Sequence, residues 1–564
     1  MRTIKKKFKH ATSTPKGRVI VFSILLGIVL AIGAGIIYWS LFRKKIIRGE
    51  IESMVRNKSN GLYNLSYDSL KLDEVAGNLS LTNILLVYDS LRYASLSDKN
   101  EAPPTLVKLN IPRITVWGVQ TPRALLSKEI VGKKLVITDP QIQIIYTNAG
   151  KDSARYLPPN EVYRQVLGNL NMIKIDTLEI NGAEITTSNL RTGKRNVEFK
   201  NTSVHLFDLA LDEEKGAEPG RILFANHVSL ACDKISFPSE DRPYNYVFDS
   251  VTLSSITQTG SAKRIRIIPL LEENAFVKSL PFQDDRFDFT INNMRLKNLD
   301  IPQLFKENIF ADSILIGAAN FKIYRDLSIT RDKQNRVGRY PQQLLDKLPL
   351  TLNAKTLILS NAFLEYKERS AITGQAGKVQ FHQIYATISN ITNDKEAIKS
   401  NNVMRAAIKT KFLNTTPFEV DWKFYLQHPK GRFDIKGNMG SVAVEDLSRL
   451  TEPMGPAKME KGKIKSLSFN LEGNDYGADG TVKMLYEDLK IALLEKKEGE
   501  KELDKKTLAS FVANLVVKND NPARDGDPPR VQTVRFDRDT NRSIFHLVWK
   551  TIFKGVRETV GIKK

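Results

Sequence analysis

The sequence predicts a mostly β protein built from tandem duplicated units, preceded by an N-terminal transmembrane helix and ending in an amphipathic helix. Three observations predict it. An uncharged apolar run of 24 residues lies near the N-terminus, and alternation with a period of two dominates beyond residue 60. Four pairs of similar segments also recur, in the same order, at a nearly constant offset of 179–182 residues.

The apolar run is Val19 to Phe42, with Leu25, Leu30, Ile36 and Trp39 along it. About 20 apolar residues in a helix cross a hydrocarbon core of ~30 Å, so the run is long enough to span with some tilt. It is too long for the apolar core of a secretory signal, and no small-x-small cleavage site follows it, which makes it an uncleaved signal anchor. Tyr38 and Trp39 lie near one end, where amphipathic rings favour the interface. Seven Lys/Arg precede the span and four follow closely, a bias that places the N-terminus in the cytoplasm and the bulk of the chain across the membrane. Gly27, Ala31 and Gly35 fall at the four-residue spacing that lets helices pair, although small residues are common in such helices. The oligomeric state stays open.

Beyond the anchor, residues 43–60 read as a connecting helix and the rest mainly as strands, where period-two alternation puts successive side chains on opposite faces. One pattern recurs: two alternating apolar residues, a turn-compatible Asn, Asp, Gly or Ala with a small or apolar neighbour, then two more alternating apolar residues. It appears at Leu79–Tyr88, Leu135–Ile144, Leu178–Ile185, Ile314–Ile323 and Leu357–Tyr366. The turn residues are compatible with a tight hairpin or with one strand carrying a bulge. Leu135 to Ile314 and Leu178 to Leu357 are both 179 residues, and Tyr63–Leu72 matches Tyr244–Leu253 at 181. A constant offset is not what unrelated alternating strands would give. Residues 61–241 and 242–420 are therefore expected to be two copies of one β-rich unit, followed by a further β region at 421–495. Residues 496–541 read as a charged linker, a short helix at Leu508–Val517 and a loop rich in Asp and Pro.

Residues 542–564 form the amphipathic basic helix. Phe545, Val548, Trp549, Ile552, Phe553, Val556 and Val560 follow helical spacing, with His546, Lys550 and Arg557 on the other side. Phe545, Trp549, Ile552 and Phe553, with Lys550 and Lys554, are the candidates for contact with a membrane surface. The same apolar face would equally serve to cap the end of a sheet.

Charge and composition exclude several classes of function. Of the formal net charge of +22, residues 1–48 carry +11 and residues 542–564 carry +5, leaving +6 between them. The excess sits at the two ends, which favours anionic lipid surfaces and argues against nucleic acid as a partner. A single cysteine, Cys232, excludes an intrachain disulfide, and its apolar surroundings suit a buried thiol better than a nucleophile. No HExxH, CxxC, GxSxG, Walker A or strand-linked GxGxxG motif is present. The six histidines are scattered; His205 and His227 have no ligand-spaced companions. Asp68 and Asp249 match between the copies, as a turn or strand-end role would require. The chain is expected to have no catalytic residues, no metal and no cofactor.

The residues that carry a family resemblance are LSYDSLKLDEVAGNLSLTNILLVYDS (65–90), the segments within Ile111–Tyr146, the stretch Tyr476–Leu494 and TVRFDRDTNRSIFHLVWKTIFKGVRETVG (533–561). Together with the anchor, these resemble the AsmA-like envelope proteins, in particular their short branch of unknown function, over nearly the full length. The resemblance implies a long, curled antiparallel β-sheet groove built from the duplicated units. It also implies an inner-membrane anchor, a periplasmic body and a non-enzymatic role in sheltering phospholipid or another acyl lipid, in lipid transport or outer-membrane biogenesis. Envelope protein partners are compatible with it. The candidate groove-lining residues are then Leu135, Ile137, Ile142, Ile144, Leu178, Ile180, Ile185, Ile314, Ile316, Phe321, Ile323, Leu357, Leu359 and Leu364. The rival expectations are a structural scaffold for envelope assembly, with a fully side-chain-packed interior, and a hydrolase, which would need convergent acids in a polar cleft.

Overall fold

The computed structural model describes residues 49–73, 75–120, 123, 127, 129–147, 171–193, 195–212, 221–239, 241–371, 373–448, 457–494, 512–514 and 518–562. The basic tail, the span Val19–Phe42 and the charge run at 495–506 lie outside them. Among the described residues no helix is long and apolar enough to cross a membrane. The chain is mostly β and falls into two units, Met1–Arg264 with Asn298–Asn308, and Ile265–Lys297 with Ile309–Lys564.

In the first unit, α1 (Gly49–Lys58) leads to β1 (Tyr63–Ser66) and β2 (Ser69–Asp73), which run in succession antiparallel to β3 (Asn78–Tyr88). Asp89 then caps α2 (Ser90–Asp98) by accepting hydrogen bonds from the amides of Leu91 and Arg92, both at 2.9 Å. β4 (Thr105–Trp117) pairs with β3, and β5 (Glu129–Thr138) and β6 (Gln141–Tyr146) follow one another along β4. β7 (Met172–Asn189) lies beside β5 and β6, parallel to both. β8 (Arg195–Asp212), β9 (Ala225–Pro238) and β10 (Tyr244–Ser254) continue antiparallel.

The sheet is thus mixed, which corrects the expectation of an antiparallel one. Parallel neighbours need a crossover of a dozen or more residues, and the connection from 147 to 171 is long enough to bring the chain back in the same direction. Its effect is to place two copies of the repeated motif side by side in register, Leu135 opposite Leu178, Ile137 opposite Ile180 and Ile142 opposite Ile185.

No hairpin forms at any of the five copies; the chain continues in one direction through each, with register shifts in β7 and β14 and an unshifted interruption in the others. Asn83, Asp139 and Gly182 take positive φ at +50°, +47° and +69°, a conformation that Asn, Asp and above all Gly tolerate. In β3 the left-handed residue shifts the parity of the pattern while the register with β4 stays constant, so Leu79, Leu81, Ile84 and Leu86 all stay buried on one face. Pro112 lies opposite Asn83, where the interrupted ladder has no need of its missing N–H.

β11 (Thr259–Pro269) runs across the boundary at Arg264, and α4 (Ile301–Leu304) belongs to the first unit; the second unit holds α3 (Glu273–Lys278), β12 (Arg286–Lys297), β13 (Asn308–Asp326) and α5 (Pro341–Asp346). It continues with β14 (Thr351–Arg369), β15 (Ala376–Thr392), α6 (Lys395–Ser400), β16 (Val403–Phe412), β17 (Thr416–Tyr425) and β18 (Phe433–Met439). The last elements are β19 (Val442–Ala443), β20 (Ala457–Gly473), β21 (Gly477–Leu494), β22 (Val512–Asn514), β23 (Val531–Asp537) and α7 (Ile544–Thr559). Strands β14 through β18 form an antiparallel run that passes through β20 and β21 to β23. The helix expected at Leu508–Val517 is corrected in part. Its described residues, 512–514, form β22 and pair with 492–494 at the end of β21, because an apolar run of this length serves a sheet edge as readily as a helix.

Candidate functional site

The two faces of the second unit's strands differ sharply. On β12 and β13 the cross-strand pairs Phe287–Ile323, Phe289–Phe321, Ile291–Ala319 and Met294–Ile316 share one face. The intervening pair Asp288–Lys322 lies on the other. On β14 and β15 the same apolar face carries Leu357–Ile388, Leu359–Ala386, Ala362–Ile384 and Leu364–Phe381. The opposite face of β16 and β17 bears the exposed ion pairs Lys409–Glu419, at 3.3 Å, and Arg405–Asp421. Such pairs keep one face wetted and add little to stability.

The apolar face is incompletely covered along β12–β15. Ile316, Ala319 and Ala362, with Ala386 on β15, are buried at its centre, and Ile291, Met294, Ile314, Phe321, Leu357, Leu359 and Ile384 around them are half-buried. Aromatic rings thicken it, with Phe289 meeting Phe321 edge to face at 5.1 Å between centroids.

Further along, helix α7 closes the same face. Ile544, Leu547, Val548 and Ile552 pack with Trp422, Phe433, Ile435, Leu471, Val482 and Val534 in one core. Gly555 lets the helix approach this closely, since a Cβ there would stand 2.5 Å from the Cβ of Val482. Ser543 caps the helix by accepting a hydrogen bond from the amide of His546. The apolar spacing read from the sequence therefore splits into two stripes. One is buried, and it includes Ile552, which is 7% exposed and so is removed from the candidate surface residues. The other is a ridge of Phe545, Trp549 and Phe553, 64%, 56% and 41% exposed. Trp549 stacks on Phe553, and the ammonium of Lys550 lies 6.0 Å from the Phe553 ring. Lys554 donates to the carbonyl of Arg535 at 2.8 Å.

At one end the apolar stripes of β12, β13 and β14 give way to charge. Arg325 holds Asp285 with two hydrogen bonds, both 2.7 Å, and Tyr366 donates to Glu368 at 2.6 Å. Burial first, then the neighbouring Glu368 carboxylate, pushes the Tyr366 phenol well above its ordinary value, so it stays a donor. Nearby, Arg331 is paired with Asp539 in the turn that precedes α7.

The predicted lining residues fall into two groups. Leu135, Ile137, Ile142, Ile144, Leu178, Ile180 and Ile185 are all fully buried in the first unit, from 0% to 9% exposed. Ile314, Phe321, Ile323, Leu357, Leu359 and Leu364 are half-buried in the second unit, on the same face as Ile316. Phe287, Phe289, Ile291 and Met294 also belong to that face; the alternation in RFDFTI carries the first three, and Met294 lies beyond it.

Cys232 is buried, receives a hydrogen bond from Thr202 and donates to the backbone, and burial raises its thiol pKa, so it is a poor nucleophile. His205 meets Asn181 at 3.3 Å, whereas His227 is exposed on β9. Asp68 accepts from the Asn83 side chain, and Asp249 lies 3.9 Å from Arg264. Among the described residues no group of three His, Cys, Asp or Glu is placed to hold a metal ion.

These features define a two-faced β protein whose second unit carries an incompletely covered apolar sheet face, closed at one end by an amphipathic helix. No family model matches the chain, and no curated protein matches it.

Proposed function

We propose that the chain is a membrane-anchored envelope protein that shelters lipid, with phospholipid as the substrate class, along the apolar face of β12–β15. The observation that carries this reading is the ring of half-buried aliphatic and aromatic side chains around Ile316, Ala319 and Ala362. A contiguous apolar surface of this kind is stabilised by something that covers it. An acyl chain fits the requirement, because each buried CH₂ contributes about 0.8 kcal/mol and needs no hydrogen-bond partner. Ten methylenes would contribute roughly 8 kcal/mol before the entropy of ordering the chain is subtracted. In this reading residues 19–42 anchor the chain in the inner membrane with the N-terminus cytoplasmic, and the two units lie in the periplasm. The Phe545–Trp549–Phe553 ridge rests on a lipid surface. The resemblance to AsmA-like proteins supports the same role, in lipid transport or outer-membrane biogenesis.

The test is native mass spectrometry of the full chain, extracted gently in non-ionic detergent. Bound phospholipid that is lost in Leu359→Asp, with folding intact, supports the reading. The same change at Ile180 would be uninformative, since a carboxylate there is fully buried and costs folding itself. Absence of lipid from the wild type, and no uptake when lipid is offered, would overturn it.

One observation favours the scaffold reading. In the first unit the equivalent apolar residues are sealed by protein, with Leu178 and Leu206 both at 0% exposure, which leaves that unit no uncovered face at those positions.

A further inference from the structure

The charged end of the apolar face contains a guanidinium, that of Arg542, which sits near Asp539 and Glu368 but is hydrogen-bonded to neither. Gln283 ties the segment before β12 to the chain after β13: its side-chain NH₂ donates to the carbonyls of Leu327 and Ile329, at 3.0 and 2.8 Å, and its backbone N–H donates to the carbonyl of Thr330. Arg331 follows this tie and pairs with Asp539, which brings in the turn that leads to α7, and both Arg331 and Arg325 act electrostatically on Arg542. The backbone of Arg542 closes that turn, its N–H donating to Asp539 at 2.9 Å and its carbonyl accepting from Arg538 at 3.0 Å. The three carboxylates here are engaged, Asp285 by Arg325, Asp539 by Arg331 and Glu368 by Tyr366. Among the described residues the half-buried Arg542 guanidinium has no hydrogen-bond or ion-pair partner.

We infer that Arg542, supported by Arg331 and Lys550, holds the phosphate of an amphiphile whose acyl chain lies on the Phe289–Phe321 face. The inference rests on the lipid-sheltering reading and adds to it a polar anchor and an orientation. A guanidinium presents a planar fork of donors suited to phosphate oxygens, and a charge-assisted bond in a half-buried site is stronger than a neutral one. Burial and then the positive charges of Arg331 and Arg325 lower the affinity of Arg542 for its proton, and the carboxylates of Asp539 and Glu368 offset this only in part. His546, one turn further on, is held neutral by burial and then by Arg542 and Lys550, with its pKa lowered to about 4, so it offers an imidazole that can donate to phosphate without adding charge. Trp422 adds an independent sign that the neighbouring core is not fully satisfied: it is 7% exposed, its indole N–H has no partner, and it meets Phe545 of α7 edge to face at 5.7 Å.

The experiment compares binding of phosphatidylglycerol and of diacylglycerol with identical chains to the full-length protein, with inorganic phosphate as a third probe. The wild type is expected to favour the phospholipid by about tenfold, the ratio that one charge-assisted bond of about 1.4 kcal/mol gives. Arg542→Gln should bring that ratio close to one while leaving diacylglycerol binding unchanged, and Lys550→Gln should reduce it by a smaller factor. Equal binding of both lipids by wild type and variants overturns the headgroup site and leaves the sheltering reading standing. Binding of neither lipid overturns both. Inorganic phosphate that binds the wild type, is lost in Arg542→Gln and has no counterpart in lipid preference assigns the site to a free anion and overturns its link to the apolar face.

Discussion

Arg538 and Asp475 form an ion pair from which water is excluded, with Nη1 2.6 Å from Oδ1 and side-chain exposures of 1% and 2%. Asp475 also accepts from the amide of Gly338 at 3.1 Å and from the Gln343 side chain at 2.6 Å, and Arg538 lies 4.3 Å from the centroid of the Tyr340 ring. The pair therefore ties the end of β23 to the turn after β20 and to the segment that enters α5.

Breaking such a pair on one side costs more than removing it entirely, because the remaining charge stays buried without a partner. Arg538→Leu is expected to destabilise the second unit by about 3–5 kcal/mol. Adding Asp475→Asn to it should recover part of the loss. Urea denaturation of the full chain, followed by tryptophan fluorescence, reads both. Additive losses in the two single variants and the double variant would mean that the residues act independently.

His546 gives the second unit a dependence on pH. Its pKa is lowered to about 4 from an ordinary 6.5, first by burial and then by Arg542 and Lys550. The unfolded chain therefore binds a proton near pH 6.5 that the folded chain refuses until about pH 4, and stability falls as pH drops through that window. A shift of this size is worth at most about 3 kcal/mol, and solvent screening of a half-exposed ring brings it to on the order of 1 kcal/mol. His546→Gln should flatten that part of the profile, measured as the difference in denaturation midpoint between pH 7 and pH 4.5. An unchanged slope would remove His546 as its source.

The bulge at Gly182 is the most demanding of the repeated motifs. Its φ is +69°, and a Cβ there would fall 2.1 Å from the Asp139 carboxylate of the neighbouring strand. Gly193 has a similar φ of +63° with nothing within 4 Å. Alanine at 193 should cost about 1 kcal/mol from backbone strain alone, and alanine at 182 more than that, because Asp139 must also move. Thermal melting of the two variants separates strain from crowding; equal costs would show that Asp139 yields freely.

The same residues show what the sequence conveys and what it withholds. Alternation identifies the strands, and Asn83, Asp139 and Gly182 mark where left-handed residues interrupt them, because both are local consequences of side-chain chemistry. Direction is not local: nothing in β5, β6 or β7 distinguishes a parallel neighbour from an antiparallel one, and only the length of the connection from 147 to 171 hints at it. Cover is not local either. Leu178 and Leu357 sit in copies of one motif, yet one is fully buried and the other half-buried, since burial depends on what lies above the face. The charged end of that face escapes a reading of the sequence because Asp285 and Arg325 meet across 40 residues.

Helix α7 separates folding from surface contact within a single element. Ile544, Leu547, Val548 and Ile552 face the sheet, whereas Phe545, Trp549 and Phe553 project outward. Trp549→Ser with Phe553→Ser should leave stability within about 0.5 kcal/mol, as expected of exposed positions. Gly555→Leu should cost about 1–3 kcal/mol, because it forces side-chain atoms into Val482. If the ridge rests on lipid, brominated acyl chains in proteoliposomes should quench a component of the full chain's tryptophan fluorescence that disappears in Trp549→Phe. The double serine variant should then also bind added anionic vesicles more weakly, since two large aromatic side chains supply most of the ridge's apolar area. Quenching that is identical in the wild type and Trp549→Phe would place Trp549 in water, and the ridge would become a surface for a protein partner.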